Sequence, residues 1–414
     1  MEILQTYPIF VARQPIFDRQ DKVWAYELLY RDQEIPNSAR IDNPDHATLK
    51  VISQGFSVAI TATGGRKPVF INFPERLILE KSAFALPSEL CVVEVLETVT
   101  PDENIVQSCL ELQQNGYRIA IDDYFGQPEF ERLIKIADII KVDILKLSPL
   151  EIKKLVKSMS KLKAKILAEK IEHLTIYNLC KKIGFDYFQG FFFCMPQIIS
   201  GSKPSPAKVS SIKLLKELAR EDLELSDLSK IIQKDASLSY RLLKFINSAY
   251  FGFRNEISSI QQAVTLLGIR QTSQWLRVNI LSDMSETPMD SEVTYLAALR
   301  GKFLEQVSAS HNSPPFDPPS MFLLGLFSLL DTLIGRPMEK ILEELPLKEE
   351  MKQVLADKSS TSNGYWLKLA RFYEKGDWQK TLDTISFLGL DPEETARIYN
   401  QSLEWVRSSL ASRI

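Results

Sequence analysis

The chain has few cysteines, and their spacing excludes the classes of protein that depend on them. Its four cysteines are Cys91, Cys109, Cys180 and Cys194, and none stands in a CxxC pair. Dispersed cysteines of this kind favour reduced thiols over a disulfide framework. The N-terminus, MEILQTYPIF, also lacks the basic start and long apolar core of a secretion signal. The sequence therefore predicts a cytoplasmic protein.

Long apolar runs and an excess of basic residues are missing too. The apolar stretch over residues 321–335 is interrupted by Asp331 and is too short to cross a bilayer, so we expect a buried helix there and no membrane insertion. The formal net charge of -3 gives no electrostatic reason to expect nucleic acid as the main partner. A length of 414 residues, of which 45% are hydrophobic, instead predicts a globular chain of two or three domains.

The rhythm of the sequence changes near residue 200. Before it, β-branched or aromatic runs alternate with helical segments, which predicts repeated strand and helix units in a parallel sheet or barrel. Beyond it, apolar residues recur three or four apart, so the second half should be almost entirely α-helical. The Pro- and Gly-containing segment SGSKPSPAK marks the boundary. We predict an α/β barrel domain over residues 1–199, a linker over 200–208 and an all-α domain over 209–414.

Two further signals divide the helical half. The Pro-rich segment 313–320 should separate two groups of helices, and residues 391–410 predict a well-capped final helix.

Polar side chains recur at or near the ends of the apolar runs in the first half. Because parallel β/α architectures bind ligands at the carboxyl ends of their strands, these residues predict one polar cleft. Such a cleft is typical of a metal-dependent phosphate enzyme, or of a receptor descended from one. The residues are Glu27, Asn72, Glu94, Glu97, Asp122, Asp123, Lys141, Asp143, Glu169, Glu172 and Gln189.

Spacing within single runs refines this expectation. Glu94 and Glu97 are an odd number of residues apart and could not face the same way in one strand, so Glu97 should lie on the following loop. Asp122 and Asp123 are adjacent, and only a turn after their strand can bring both carboxylates to one rim.

The order of these motifs resembles the EAL-domain phosphodiesterases, which hydrolyse cyclic di-GMP, over roughly residues 8–195. The name motif is Glu27-Leu28-Leu29, with leucine in place of alanine, and Arg31 follows it. The remaining signatures are Asn72 in INFP, Glu94 to Glu97 in EVLE, the Asp122-Asp123 pair, Lys141 and Asp143 in KVD, Glu169 and Glu172 in AEKIE, and Gln189-Gly190. The resemblance implies a modified TIM-like (β/α) barrel.

The resemblance also implies two divalent ions, since two cations about 4 Å apart can neutralise a phosphodiester and activate water. Carboxylate and amide oxygens suit Mg²⁺ or Mn²⁺ better than zinc. The implied roles are metal binding for Glu27, Asn72, Glu94, Asp122 and Asp123, catalysis for Lys141 and Glu169, substrate binding for Arg31 and Gln189, and support for Glu97, Asp143 and Glu172.

Structural alternatives stay open at several of these positions. Asp143 and Glu172 could form ion pairs with neighbouring lysines, and Asn72 could simply begin a turn before Phe73-Pro74. Lys141 is harder to explain in this way, because an apolar strand rarely carries a lysine that is neither paired nor functional.

Two departures from the family bear on activity. The loop after the aspartate pair is Tyr124-Phe125-Gly126-Gln127-Pro128, without the family's second glycine. Lys170 replaces the glycine of the family's AEGVE motif, beside the implied base.

The second half resembles the HDOD domain, a helical module related to HD-type phosphohydrolases that lacks their metal ligands. Residues 231–276 carry the likeness, including Asp235, Asn247 and the Leu267-Gly268 turn. An active HD site needs several histidines, whereas the chain has three, with His311 alone in this half. We expect His311 at a solvated helix end and no enzyme activity in the HDOD half.

Two hypotheses follow for the whole chain. In the first, it is a phosphodiesterase that converts cyclic di-GMP to linear pGpG under control of the HDOD half. In the second, it is a non-catalytic adaptor that binds cyclic di-GMP, a protein partner through the HDOD domain, or both. The resemblance also allows a homodimer.

Overall fold

The structure is a computed structural model that describes residues 10–31, 67–194, 206–218, 220, 222–253, 255–358 and 362–410. By its internal contacts the chain divides into two compact units. The first comprises residues 1–195 with Tyr373–Trp378, and the second comprises Pro196–Phe372 with Gln379–Ile414. Residues 200–205 of the predicted linker lie outside the described residues, and a helix begins at Pro206.

The first unit contains a closed barrel of eight strands in sequence order. Seven of them contain the apolar runs singled out in the sequence, which confirms the predicted barrel. The strands are β1 (Phe10–Asp18), β2 (Val23–Arg31), β3 (Val69–Phe73), β4 (Cys91–Val95), β5 (Arg118–Ile121), β6 (Ile139–Asp143), β7 (Lys165–Glu169) and β8 (Tyr187–Gln189).

Helices follow several of these strands, and some begin at well-formed caps. Asp102 accepts a hydrogen bond from the amide of Ile105, and Ser148 forms a capping box with Glu151. The described α-helices of this unit's continuous part are α1 (Glu75–Leu79), α2 (Glu103–Gln114), α3 (Glu131–Ile136), α4 (Pro149–Met159) and α5 (Leu174–Ile183).

The first strand departs from a purely parallel barrel. β2 to β8 pair in parallel, whereas β1 is antiparallel to both of its neighbours, β2 and β8. The short connection from Asp18 to Val23 explains the reversal, because two strands joined by a tight turn must run in opposite directions. The Asp18 carboxylate accepts from the amides of Gln20 and Lys22 and so fixes that turn. The parallel arrangement predicted from the sequence is therefore wrong for β1.

A layer of buried apolar side chains fills one level of the barrel interior, and it positions the site above it. Since side chains two apart on a strand point the same way, the next inward position along each strand lies toward the carboxyl rim. The layer consists of Ile16, Ala25, Phe70, Val92, Ala120, Ile139 and Leu167. The residues one inward step further on are Gln14, Glu27, Asn72, Glu94, Asp122, Lys141 and Glu169.

The second unit is helical, as predicted. Within α9 the backbone leaves helical geometry at Gly268 (φ 74°, ψ 173°), at the predicted Leu267-Gly268 turn. Its described helices, with those that extend into Tyr373–Trp378, are α6 (Pro206–Leu218), α7 (Leu225–Gln233), α8 (Ala236–Ile246), α9 (Ile260–Asp283), α10 (Pro288–Ala309), α11 (Pro318–Phe327), α12 (Leu330–Ile334), α13 (Met338–Leu342), α14 (Glu349–Leu355), α15 (Asn363–Glu374), α16 (Trp378–Leu388) and α17 (Pro392–Leu410).

Local polar contacts explain residues that stood out in the HDOD-like segment. Asp235 caps α8 by accepting from the amides of Ser237 and Leu238. Asn247 exchanges two hydrogen bonds with the backbone of Ile257, which closes the loop between α8 and α9. His311 follows the end of α10 but is half-buried, with Nε2 3.0 Å from the carbonyl oxygen of Leu388. The prediction of a solvated histidine is therefore wrong, because packing closes around the helix end.

The apolar stretch over residues 321–335 is buried, as expected, but it forms the two short helices α11 and α12 rather than one. Among the described residues, no helix combines the length and the apolarity that a membrane span requires.

Close packing of α10 against α11 generates a prediction for stability. A Cβ at Gly325 would overlap the backbone of Arg300 and Gly301, which cannot yield like a flexible side chain. Gly325→Ala should therefore lower the free energy of unfolding by about 1–3 kcal/mol. Urea denaturation followed by circular dichroism measures the change. Gly389→Ala is the control, because its Cβ would meet nothing within 4 Å and only its positive φ opposes the change. No measurable loss of stability in Gly325→Ala would contradict the packing argument.

Candidate metal centre

The carboxyl-end interior of the barrel places one ammonium group among four carboxylates. Lys141, in the middle of β6, is 1% exposed, and its Nζ lies 2.7 Å from Glu169, 3.1 Å from Asp122 and 3.4 Å from Glu27. It also forms an ion pair with Glu94, which is completely buried. The structure thus brings together five of the residues predicted from the sequence, and the alternation of each strand points them to one centre.

Burial and charge act against each other on these groups. Burial would lower the pKa of Lys141, but the four carboxylates outweigh it and raise that pKa well above its usual value. Burial would raise the pKa of Asp122, but the Lys141 ammonium holds it below its ordinary range. Burial raises the pKa of Glu94 and of Glu169, and it outweighs the opposite effect of the Lys141 ammonium on both groups. The pKa of Glu169 rises to about 8. The single ammonium of Lys141 therefore does not neutralise the negative charge of the four carboxylates.

Two glutamines extend the centre across β1, β2 and β8. The Gln189 amide nitrogen donates to Glu27 at 2.6 Å and to the side-chain oxygen of Gln14 at 2.7 Å. Gln189 was predicted to belong to the site, whereas Gln14 was missed. Gln14 lies in the strand FVARQPIFD. A polar amide within a largely apolar strand was the signal that could have identified it. Together the glutamines orient Glu27 toward the centre.

A second group of charges lies at the rim, around Asp123. Lys146 Nζ is 2.5 Å from Asp123 Oδ2, and Lys170 Nζ is 3.4 Å from Asp123 Oδ1. Lys170 also pairs with Asp143 at 2.6 Å, while the Asp143 carboxylate accepts from the amide of Leu145. The contact with Lys170 agrees with the alternative interpretation of Asp143, in which it forms an ion pair with a neighbouring lysine. Glu172 lies at the same rim and is exposed.

The side chain of Gln127 closes the loop that follows the aspartate pair. Gln127 accepts from the amide of Phe125 and donates to the carbonyl oxygen of Asp123 at 3.2 Å. The amide of Tyr124 donates to the carbonyl oxygen of Lys141, which ties the loop to β6. A glutamine side chain thus shapes this turn.

The remaining predicted residues are Glu97, Asn72 and Arg31. Glu97 lies in the turn after β4, as spacing predicted, and its side chain is exposed. Asn72 is half-buried on β3, opposite Glu94 of β4 in the strand register. Arg31 ends β2, but its side chain lies outside the described part of the structure.

The inner carboxylates fit a divalent cation. One oxygen each from Glu27, Glu94 and Glu169 lies within 4.8 Å of the others, so a single ion could contact all three. Glu94 Oε2 is buried and has no hydrogen-bond partner among the described residues. A buried, unpartnered carboxylate oxygen is costly unless a cation or a donor reaches it.

The second candidate set fits less well. Asp122, Asp123 and Glu169 also bring oxygens within 4.8 Å of one another. However, both oxygens of Asp123 already face lysine ammonium groups. Beside these sets lies a cavity of about 330 Å³, lined by Glu27, Asp122, Lys141, Glu169 and Gln189 among others. Its volume falls within the range of small-ligand sites.

Comparisons with known proteins agree with both halves of the chain. A model of the EAL domain matches residues 44–196, and a model of the HDOD domain matches residues 204–300. The chain is 35% identical to the uncharacterized protein YuxH of Bacillus subtilis (strain 168), over 98% of this chain and 100% of YuxH. It is 31% identical to the cyclic di-GMP phosphodiesterase CdgJ of Vibrio cholerae, over 96% of this chain and 92% of CdgJ.

A solved structure was also found. The crystal structure of an EAL-domain protein from Listeria monocytogenes EGD-e covers 51% of this chain and 98% of its own, with 20% identity and a TM-score of 0.36.

The position of Lys141 generates a prediction. Lys141→Met removes the ammonium that four carboxylates share, three of them buried. Breaking a buried ion pair from one side costs about 3–5 kcal/mol, so the metal-free variant should unfold far more readily at neutral pH. Chemical denaturation in the presence of a chelator measures this.

The matched control is Lys165→Met, because Lys165 is 58% exposed and pairs with Asp186 at the other end of the strands. The free energy of unfolding of Lys165→Met should fall by less than about 1 kcal/mol. Equal stability losses in the two variants would show that Lys141 does not balance the buried cluster.

Proposed function

Because the chain belongs to the family of proteins that join an EAL domain to an HDOD domain, we propose that its barrel hydrolyses cyclic di-GMP to linear pGpG. The observation that carries this proposal is the buried cluster of four carboxylates around Lys141 at the carboxyl ends of the strands. Such a cluster is costly to bury for structural reasons alone. The name of the relative CdgJ, a cyclic di-GMP phosphodiesterase, supports the same reaction.

A divalent ion, Mg²⁺ or Mn²⁺, is proposed to bind beside Lys141 through the side-chain oxygens of Glu27, Asn72, Glu94 and Asp122. When bound, such an ion polarises a phosphoryl oxygen and lowers the pKa of water. The absence of cysteine and histidine from this set is the reason to prefer hard cations over zinc.

The protein's own side chains have separate proposed tasks. Lys141 holds the carboxylates of Glu94, Asp122 and Glu169 in a fixed arrangement and adds positive charge beside the scissile phosphodiester. Glu169 is proposed as the general base, since its carboxylate lines the cavity and is directed by a contact of 2.7 Å to Lys141. The Gln189 amide orients Glu27. Arg31 is proposed to bind a substrate phosphate, and Glu97, Asp143 and Glu172 to support the rim.

A second candidate function is supported by the rim itself. With both Asp123 oxygens paired to lysines, the barrel could bind cyclic di-GMP without turning it over and act as an adaptor. The HDOD half is proposed to bind a protein partner in either case. Large apolar side chains are exposed in its matched segment, among them Tyr240 (66%), Leu266 (50%) and Phe253 (45%).

Turnover tests the proposed reaction. Purified protein with Mg²⁺ or Mn²⁺ should convert cyclic di-GMP to pGpG. Chromatography of the nucleotides measures the conversion. Glu169→Gln keeps the shape of the side chain but removes the base, so the rate should fall by a factor of about 100 or more.

Glu89→Gln is the matched control, because Glu89 is exposed and precedes β4, at the opposite end of the barrel. Its rate should equal that of the unmodified protein. Binding of cyclic di-GMP by calorimetry without any pGpG would reject the enzyme in favour of the adaptor.

A further inference from the structure

The acidic rim residue Asp123 is held by two lysines, one at each carboxylate oxygen. Lys146, just after β6, contacts Oδ2, and Lys170, just after β7, contacts Oδ1. Asp123 is 13% exposed, whereas the two lysine side chains are about half exposed. Two ammonium groups therefore approach a largely buried carboxylate from the solvent side, which is the approach that a cation from solution would take.

The backbone at Lys170 is unusual for a residue with a side chain. Lys170 has φ of 56°, in the left-handed region, and so does its partner Asp123 at 46°. An L-residue is strained in this conformation, whereas glycine adopts it freely. Strained residues of this kind cluster where a side chain is needed in one place.

The neighbouring chain fixes this conformation. The amide of Ile171 donates to the carbonyl oxygen of Gln189, and the amide of Phe192 donates to the carbonyl oxygen of Ile171. Gly190 leaves no room beside Ile171, because a Cβ there would overlap the Ile171 backbone. The ends of β7 and β8 are thus locked together, and Lys170 extends from a rigid support.

The charge balance differs between the cluster around Lys141 and the rim around Asp123. In the cluster, four carboxylates share the one ammonium of Lys141. At the rim, Asp123 and Asp143 are matched by Lys146 and Lys170, one positive charge for each negative one. A divalent cation is therefore attracted to the carboxylates around Lys141, whereas the neutralised rim around Asp123 attracts it only weakly.

We propose that Lys170, together with Lys146, takes the place of a second divalent ion at Asp123, so that the barrel binds one divalent ion, at the inner carboxylates. Lys170 is a positioning residue in this scheme. Its ammonium fixes Asp123 and Asp143 and supplies a permanent positive charge at the rim. The inference rests on the proposed metal-dependent function, but it concerns ion number and can be measured without nucleotide.

Ion counting tests the proposal. Full-length protein is freed of metal with a chelator and titrated with Mn²⁺, and free Mn²⁺ is followed by electron paramagnetic resonance. The unmodified chain should bind one ion. Lys170→Gly removes the ammonium and suits the left-handed backbone, so it should fold normally and bind a second ion at least about tenfold more tightly than the unmodified chain. The double variant Lys146→Ala/Lys170→Gly should strengthen that second site further.

Two controls separate charge from shape. Lys170→Arg keeps the positive charge and should still bind one ion, and Lys165→Ala removes a lysine from the opposite end of β7 and should change nothing. Two tight ions in the unmodified chain, or an unchanged count in Lys170→Gly, would overturn the proposal. A chain that binds one ion but forms no pGpG would leave this proposal standing and reject the proposed reaction instead.

Discussion

The contact between the Lys141 ammonium and four carboxylates is the interaction on which the barrel's interior depends. Every group in it is removed from water to a large degree, and buried charges of one sign are unstable without partners. Lys141 supplies part of the compensation from the middle of β6, and the amide of Gln189 supplies a further hydrogen bond to Glu27. The remaining negative charge is what makes the centre suited to a cation.

The same interior explains why the site lies at the carboxyl ends of the strands. One level of the barrel is filled by apolar side chains such as Phe70 and Leu167, and the next inward position on each of these strands is Asn72 and Glu169. Two residues along each strand therefore separate the packed apolar layer from the layer of polar side chains that forms the site. The strand that runs the other way, β1, obeys the same rule in reverse with Ile16 and Gln14.

Much of this arrangement could be predicted from the sequence, because strand alternation is local. Glu94, Lys141 and Glu169 stand in short apolar runs, and such runs converge in a barrel. The direction of β1 could not be predicted in this way, since it is decided by the turn after Asp18. The pairing of Lys170 with Asp123 was also beyond reach, because it depends on two left-handed backbone positions that are far apart in the chain.

The central claim is that the inner carboxylates form the metal centre of a phosphodiester site. Crystals of the full-length chain grown with Mn²⁺ and cyclic di-GMP, measured at the manganese absorption edge, test it most directly. We predict one anomalous peak among Glu27, Glu94 and Asp122, with a phosphate of the nucleotide beside it. Strong density for the nucleotide with no manganese among these three carboxylates would contradict the account.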